Sequence, residues 1–547
     1  MSKIRTLCTV AVATATATTL ALAPTAASAA PGGSNGNNNT VRKLTQAVSA
    51  DGILEHLRAL QEIGDANGGT RVSGSKGYDE SAAYAADVFE AAGYDVEVQE
   101  FVFNTFITTS PTVFRQVSPT PARDLEATIM SYSGSGDTTA AASTLAPGAL
   151  GCAPTDFTAA NAGTLVLISR GACSFAQKAN NALAAGATGA VIYNNATGPL
   201  NGTLSDAFTA DFPVVGVTQA LGQELVSLVP GGLRLQLATA TRRGPATTSN
   251  VIAETKGGNP DNVVMIGGHL DSVNAGPGIN DNGSGAGAVL EIAQQMAKVK
   301  PTNKVRFALW GAEESGLVGA TEYVESLSAD ELAQIALYLN FDMVASPNFV
   351  RFVYDGDDSV GDGNVGPAGS DVIEDAFTGY FASQGLASDP TDFSGRSDYG
   401  PFIAAGVPSG GLFTGAEGLK TPAQAGIYGG VAGQAYDPCY HQACDSLTPD
   451  FSADPVKAAL YAQLDAAYPL VGNVNMLALE QMSDAIAAVT LTYAYDTSSV
   501  NGVAGAPGKR KGVYSNGGNG TGGTSGTSDG SGGGLHGDDH SHELDAA

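Results

Sequence analysis

The sequence predicts an α/β protein: a mostly parallel mixed sheet with helices on both faces, interrupted by a small β-rich insertion. Buried-type strands of Val, Ile and Leu alternate with helices whose apolar residues recur every three to four positions, the order of a sheet covered on both sides. That texture stops near residue 125, where short Val/Ile runs separated by Ala/Gly turns take over, and it resumes at Asn250. A hydrophobic share of 43% is enough for packed cores in both parts.

Residues 1–29 read as a signal peptide. Lys3 and Arg5 precede an uncharged stretch from Leu7 to Ala23, and Ala27-Ser28-Ala29 is a small-residue cleavage site. The stretch is rich in threonine, so it predicts export and release rather than an anchor. Ile53, Leu54, Leu57, Leu60 and Ile63 mark a helix, followed by the loop Gly68-Gly69-Thr70-Arg71-Val72-Ser73-Gly74-Ser75. A second helix runs from Ser81 to Ala92, and Tyr94 to Val102 alternates like a strand. Within the insertion, strands are expected at 164–168, 190–193 and 212–217, with a helix from Ser174 to Ala185. Strands at 250–254, 262–268 and 305–310 follow, with a helix from Ser284 to Ala297, and 332–340 leads into one more strand. One discontinuous domain, 40–125 and 245–497, therefore surrounds an insertion at 126–244. A Gly/Ser-rich tail, 498–547, has too few apolar residues to offset its chain entropy, and its His536, His540 and His542 read as solvated.

With 54 acidic against 26 basic residues the net charge is −28, which argues against nucleic acid as a partner. No later segment is long and apolar enough to anchor the chain in a membrane. Cys8 leaves with the signal, and Cys152, Cys173, Cys439 and Cys444 remain. An even count in an exported chain predicts two disulfides, most simply the two local pairs.

The chemistry gathers where α/β sheets place it, outside the carboxyl ends of strands. His269-Leu270-Asp271-Ser272 follows one strand, Asp281 precedes a helix, Glu313 and Glu314 follow another strand, and Asp342 follows a third. Tyr440-His441 lies between Cys439 and Cys444. Singly, each has an ordinary explanation: an Asp before a helix is a cap, paired glutamates form a solvated face, a histidine at a strand end is structural. Together they do not. Outside the tail the mature chain has three histidines, and two of them, His269 and His441, lie in these clusters, while His56 sits on an amphipathic helix. Imidazoles with carboxylates suit zinc, and this many ligands suit two metals about 3.5–4 Å apart with one carboxylate bridging. Adjacent Glu313 and Glu314 fit a division of labour, one binding metal and the other moving a proton. Asp271 is placed to accept the other N–H of His269 and fix its tautomer.

The motifs Gly267-Gly268-His269-Leu270-Asp271-Ser272, Gly278-Ile279-Asn280-Asp281-Asn282-Gly283-Ser284-Gly285, Trp310-Gly311-Ala312-Glu313-Glu314-Ser315-Gly316-Leu317, Leu339-Asn340-Phe341-Asp342-Met343, Gly395-Arg396-Ser397-Asp398-Tyr399-Gly400-Pro401-Phe402 and Cys439-Tyr440-His441-Gln442-Ala443-Cys444 resemble the co-catalytic two-zinc aminopeptidases of metallopeptidase family twenty-eight. Gly171-Ala172-Cys173-Ser174-Phe175 with Lys178, Ala185-Gly186-Ala187 before Val191-Ile192-Tyr193-Asn194, and Pro213-Val214-Val215 resemble a protease-associated (PA) domain. The resemblance implies a zinc-exopeptidase fold with two Zn2+ per chain. His269 and Asp342 would hold one ion, Glu314 and His441 the other, with Asp281 bridging. Glu313 would be the general base and acid, Tyr440 the donor to the oxyanion and Arg396 a substrate contact, with a cis peptide after Asp281. The implied function is a secreted, monomeric aminopeptidase acting on peptides with a free, apolar N-terminal residue. A carboxypeptidase of the same clan would need bidentate arginine for the C-terminal carboxylate, and between 250 and 500 only Arg306, Arg351 and Arg396 are present, Arg306 inside a strand. A non-catalytic binding ectodomain would have lost a ligand or the base, whereas every position here is filled.

Overall fold

Residues 37–504 apart from 197–199, 201, 206 and 362 are described by the structure, a computed structural model. The expected signal peptide lies outside them, as does the expected tail from residue 505 onward with its three histidines. Residues 498–504, expected to belong to that tail, instead include a short helix, Ser498–Asn501, whose Val500 packs on the core and whose Asn501 donates to Asn262. Local signals account for the helix boundaries. Ser49 accepts a hydrogen bond from Gly52 N at the start of Ala50–Ala66, and Ser174 does the same from Gln177 N for Phe175–Ala184. The second helix begins earlier than its apolar pattern indicates, at Lys76, because Ser75 caps it, and Gly93 at φ +93° closes it after Ala92.

The strands that matter are β1 (Asp95–Ser118), β2 (Gly136–Thr144), β3 (Leu165–Ser169), β4 (Gly189–Tyr193), β5 (Val214–Val217), β6 (Arg234–Glu254), β7 (Asn259–His269), β8 (Asn303–Trp310), β9 (Ile335–Phe341), β10 (Phe352–Tyr354), β11 (Asp389–Thr391) and β12 (Ser409–Phe413). Their order across the sheet is β11-β10-β12-β9-β7-β8-β6, with β1 antiparallel to β6. The centre is parallel: β7 pairs with β8 and β9, and β9 with β12. Side chains divide between the two faces with the strand period of two. Val264, Ile266, Phe307, Leu337 and Leu339 face a core shared with helices Ala50–Ala66, Lys76–Ala92, Gly285–Met296 and Met476–Tyr495. Met265, Ala308, Trp310 and Tyr338 face the other, with Tyr323 and Phe402. This is the mixed α/β architecture, helices on both faces, that the alternation of elements predicts.

The insertion extends the strand order beyond β6: β2 pairs antiparallel with β6, β2 to β5 run parallel to one another, Thr128–Ile129 closes the edge antiparallel to β5, and the parallel strands are again buried on both sides. Its link to the larger sheet is longer than the sequence indicates. β1 and β6 pair from Asp95↔Glu254 to Ser118↔Arg234 with bulges near Thr108 and Ser110, so the strands expected at 94–102 and 250–254 are one end of a continuous two-stranded ribbon. Both cysteine pairs form the expected local disulfides, Cys152–Cys173 and Cys439–Cys444. Among the described residues no helix is long and apolar enough to cross a membrane.

Candidate metal centre

Because β7, β8 and β9 are parallel, their carboxyl ends lie on one edge of the sheet, and the polar clusters meet there. His269 is the last residue of β7, Asp342 follows β9 directly, and Glu313 follows β8 after Gly311 and a left-handed Ala312 (φ +55°). Asp281 lies in the tight turn Ile279–Ser284 that enters helix Gly285–Met296, and the Asp281–Asn282 peptide is cis. Asn282 secures that turn: its amide donates to Phe341 O at 2.9 Å, and its oxygen accepts from Gly285 N and Met343 N, both at 3.0 Å.

Asp281 joins two ligand groups. Its Oδ1 lies 3.3 Å from Nε2 of His269, which is 3.4 Å from Asp342 Oδ1. Its Oδ2 lies 3.2 Å from Nε2 of His441, which is 3.1 Å from Glu314 Oε2. In each trio, His269–Asp281–Asp342 and Asp281–Glu314–His441, the facing atoms all fall within 4.8 Å of one another, the spacing of donors around a metal ion. Among the described residues, Asp281 Oδ2, Glu314 Oε1 and Asp342 Oδ1 are buried and accept no hydrogen bond. Buried carboxylate oxygens left so are costly unless a cation takes the place of the missing donors. The donor chemistry and the orphaned oxygens thus both fit divalent cations.

The remaining predicted residues surround these. Nδ1 of His269 faces Asp271, 3.2 Å from its carbonyl oxygen and 3.5 Å from Oδ1, and the same Oδ1 accepts from Glu313 N at 3.2 Å. Glu313 Oε2 stands 3.9 Å from His269 Nε2, outside both trios that share Asp281. The Tyr440 ring stacks on His441 with centroids 3.9 Å apart, and its hydroxyl accepts from Arg396 Nη2 at 3.2 Å. Arg396 also donates to Glu417 at 2.8 Å.

The electrostatics are those of a crowded acidic site. Burial pushes the Glu313 carboxyl well above its usual range, with Glu314, Asp398 and Asp342 adding to it and His269 opposing. Burial also disfavours charge on both histidines, but carboxylates, Glu313 and Asp342 at His269 and Glu314 and Asp281 at His441, raise them well above the ordinary value. Burial would raise Asp281 too, and its two histidine partners instead hold it below the ordinary range.

The similarities to known proteins agree with this geometry. Residues 250–462 match the model of peptidase family M28, and residues 138–225 match the PA domain. An aminopeptidase of Pseudomonas aeruginosa (strain UCBPP-PA14) is 42% identical over 482 residues, 85% of each chain. The chain belongs to peptidase family M28. It is accordingly an enzyme that hydrolyses peptide bonds, with a PA domain ahead of the matched peptidase region. Leucine aminopeptidase 2 of Trichophyton tonsurans is 44% identical over 407 residues, 74% of this chain and 81% of its own. Among solved structures, an aminopeptidase from Aneurinibacillus sp. strain AM-1 superposes with a TM-score of 0.60 at 27% identity, covering 82% of this chain and 95% of that one. BSAP, a zinc aminopeptidase from Bacillus subtilis, gives 0.57 at 26%, covering 81% and 94%.

Several residues of this candidate site carry no signal of their own in the sequence. Ser397 donates to Asp342 Oδ2 at 2.6 Å and accepts from Asn340 Nδ2 at 2.8 Å, which fixes that carboxylate. Asp445 accepts from the backbone N–H of Asn280 at 2.7 Å and of Asp281 at 2.9 Å, and Asn473 ties it to Asp437. Asp445 thus links the loop that bears His441 to the turn that bears Asp281. Asp398 is fully buried, and among the described residues neither of its oxygens accepts a hydrogen bond. Ser397 and Asp398 stand inside the motif that holds Arg396, and Asp445 directly follows Cys444, so adjacency to a motif was the available signal.

Proposed function

We propose that the protein is a secreted aminopeptidase that uses two zinc ions to release apolar N-terminal residues from peptides. The observation that carries the reading is the Asp281 carboxylate, each oxygen of which faces a different histidine. His269 and Asp342 would hold one ion, His441 and Glu314 the other, with Asp281 shared. When bound, zinc supplies Lewis acidity that polarises the scissile carbonyl and acidifies water at neutral pH.

The chain's own groups do the rest. Glu313, outside the two trios that share Asp281, takes the proton from the attacking water at its carboxylate and returns it to the leaving amine. The Tyr440 hydroxyl accepts from Arg396, which leaves its own hydrogen free to donate to the oxyanion of the tetrahedral adduct. Asp271 holds His269 and the backbone of Glu313 in one frame. The carboxylates favour a substrate that brings a free α-amine.

The arginines favour the same end of the substrate. Arg306 is paired with Glu254, and Arg351 donates to Ala387 O and Gln481. Arg396 alone adjoins the site, where Glu417 neutralises it, so a C-terminal carboxylate finds no free bidentate partner among these three. The apolar preference rests on the leucine aminopeptidases among the relatives, and secretion on the leader and the two disulfides. Leucine p-nitroanilide should be hydrolysed and N-acetyl-leucine p-nitroanilide spared, with activity lost to chelator and restored by zinc. Cleavage of the blocked substrate, or indifference to chelator, contradicts the reading.

A further inference from the structure

We propose that Arg71 and Ser73, in the loop Gly68–Ser75, are positioning residues of the metal centre that hold the segments bearing Asp281 and the Glu313-Glu314 pair. The proposal rests on the reading of that centre given above. Arg71 is fully buried, and among the described residues its three guanidinium hydrogen bonds go to backbone carbonyls of one segment. Nη1 donates to Leu270 O, Nε to Pro277 O at 2.7 Å and Nη2 to Gly278 O at 2.7 Å. Arg71 N also donates to Ser272 Oγ at 2.9 Å. These acceptors occupy both ends of the loop that joins His269 to Asp281, so one planar fork sets the spacing between the anchor points of two ligands.

Ser73 does the same for the next segment. Its buried hydroxyl accepts from Ala312 N at 2.7 Å, directly ahead of Glu313, where the chain turns through a left-handed conformation. The loop itself is compact: a Cβ on Gly77 would stand 2.3 Å from Thr70 O. Burying a guanidinium among neutral carbonyls is unfavourable in itself, and burial drives its pKa down to about 10 against Asp271 and Asp445. A charge buried at that cost and spread over both ends of one ligand loop points to a role in geometry. Arg396, Glu417 and Tyr440 lie on other loops, so the hold on the substrate should not depend on it.

The test compares Arg71→Met, Arg71→Lys and Ser73→Ala with wild type as full chains. Kinetics are normalised to bound zinc and to folded protein, and hydrogen–deuterium exchange is followed over 270–284 and 311–317. Arg71→Met should lower kcat about 100-fold with KM changed less than about twofold, and exchange at 270–284 should rise. Arg71→Lys should recover only part of kcat, since an ammonium cannot replace a fork on three carbonyls. Ser73→Ala should lower kcat about tenfold and raise exchange at 311–317 while 270–284 stays protected. Wild-type kcat per folded, zinc-loaded chain and wild-type exchange in both segments would overturn the proposal, as would a loss confined to folded yield. Should Arg71→Met not fold, Ser73→Ala decides by the same readouts. A wild type without bound zinc would overturn the reading of the centre alone, because exchange, read without metal, still decides whether the two residues hold these segments.

Discussion

At Asp281 one carboxylate faces two histidines, and the backbone beneath it is gripped by Asp445. Glu313 differs from its neighbour Glu314 by one position: it groups with His269 and Glu314, but only Glu314 enters a trio with Asp281. Glu313→Gln removes the proposed proton carrier and keeps the shape. Its kcat should fall about 10²–10⁴-fold, with zinc content unchanged; loss of zinc in this variant would mark Glu313 as a ligand. Tyr440→Phe should lower kcat about 10²–10³-fold with little change in KM, whereas a rise in KM alone would make the hydroxyl a binding group. The candidate ligands His269, Asp281, Glu314 and Asp342 were legible because each sits near a strand end or beside a helix start, where an unexplained His or carboxylate stands out, and His441 because it lies in a short loop closed by Cys439 and Cys444. Asp445, Asn473 and Ser397 were not, because their work is to hold other residues, and nothing in an Asp, an Asn or a Ser announces which backbone N–H or carboxylate it will meet after folding.

Among the elements, helices Ala50–Ala66 and Gly285–Met296 meet at a buried pair. His56 Nε2 lies 3.9 Å from Glu291 Oε2, and His56 Nδ1 shares a hydrogen bond of 2.7 Å with Tyr84 OH. Burial lowers the His56 pKa to about 4 and pushes the Glu291 carboxyl up to about 7, so both are neutral in the fold near pH 5–6. A raised folded pKa means that Glu291 contributes fully below its unfolded value of 4.5, and that contribution is lost as pH rises through about 7. Glu291→Gln removes the ionisation and keeps the acceptor for Gln295. Its stability relative to wild type should therefore improve between pH 5 and 8, by at most about 3 kcal/mol, as read from thermal unfolding across that range. A difference that does not vary with pH would contradict this. Element order was legible from periodicity, and helix starts were less so. Lys76-Gly77-Tyr78 continues no apolar stripe, so only the Ser75 cap reveals that the helix begins there.

For the whole molecule, the least legible feature is the ribbon of β1 and β6. Its buried face alternates only in patches, Phe101 to Thr105, Phe114 to Gln116 and Leu235 to Thr239, and Pro111, Gly244 and Pro245 interrupt the pattern between them. The sequence shows a change of texture at 125 and a return at 250, but not that two strands run unbroken between the sheets. The larger conclusion survived that omission because the site depends on the parallel strands at the centre, whose uninterrupted apolar runs are the clearest signal in the chain. Those strands place His269, Asp342 and the Glu313-Glu314 pair at one edge, where the loop bearing His441 meets them, and the acidic surplus there calls for cations. Metal analysis of the purified protein, wild type beside Asp281→Ala, tests that convergence most directly. Two zinc ions per wild-type chain, with both sites weakened together in Asp281→Ala, is the expected result; a wild type with no bound metal, or a variant that keeps its full complement, would contradict it.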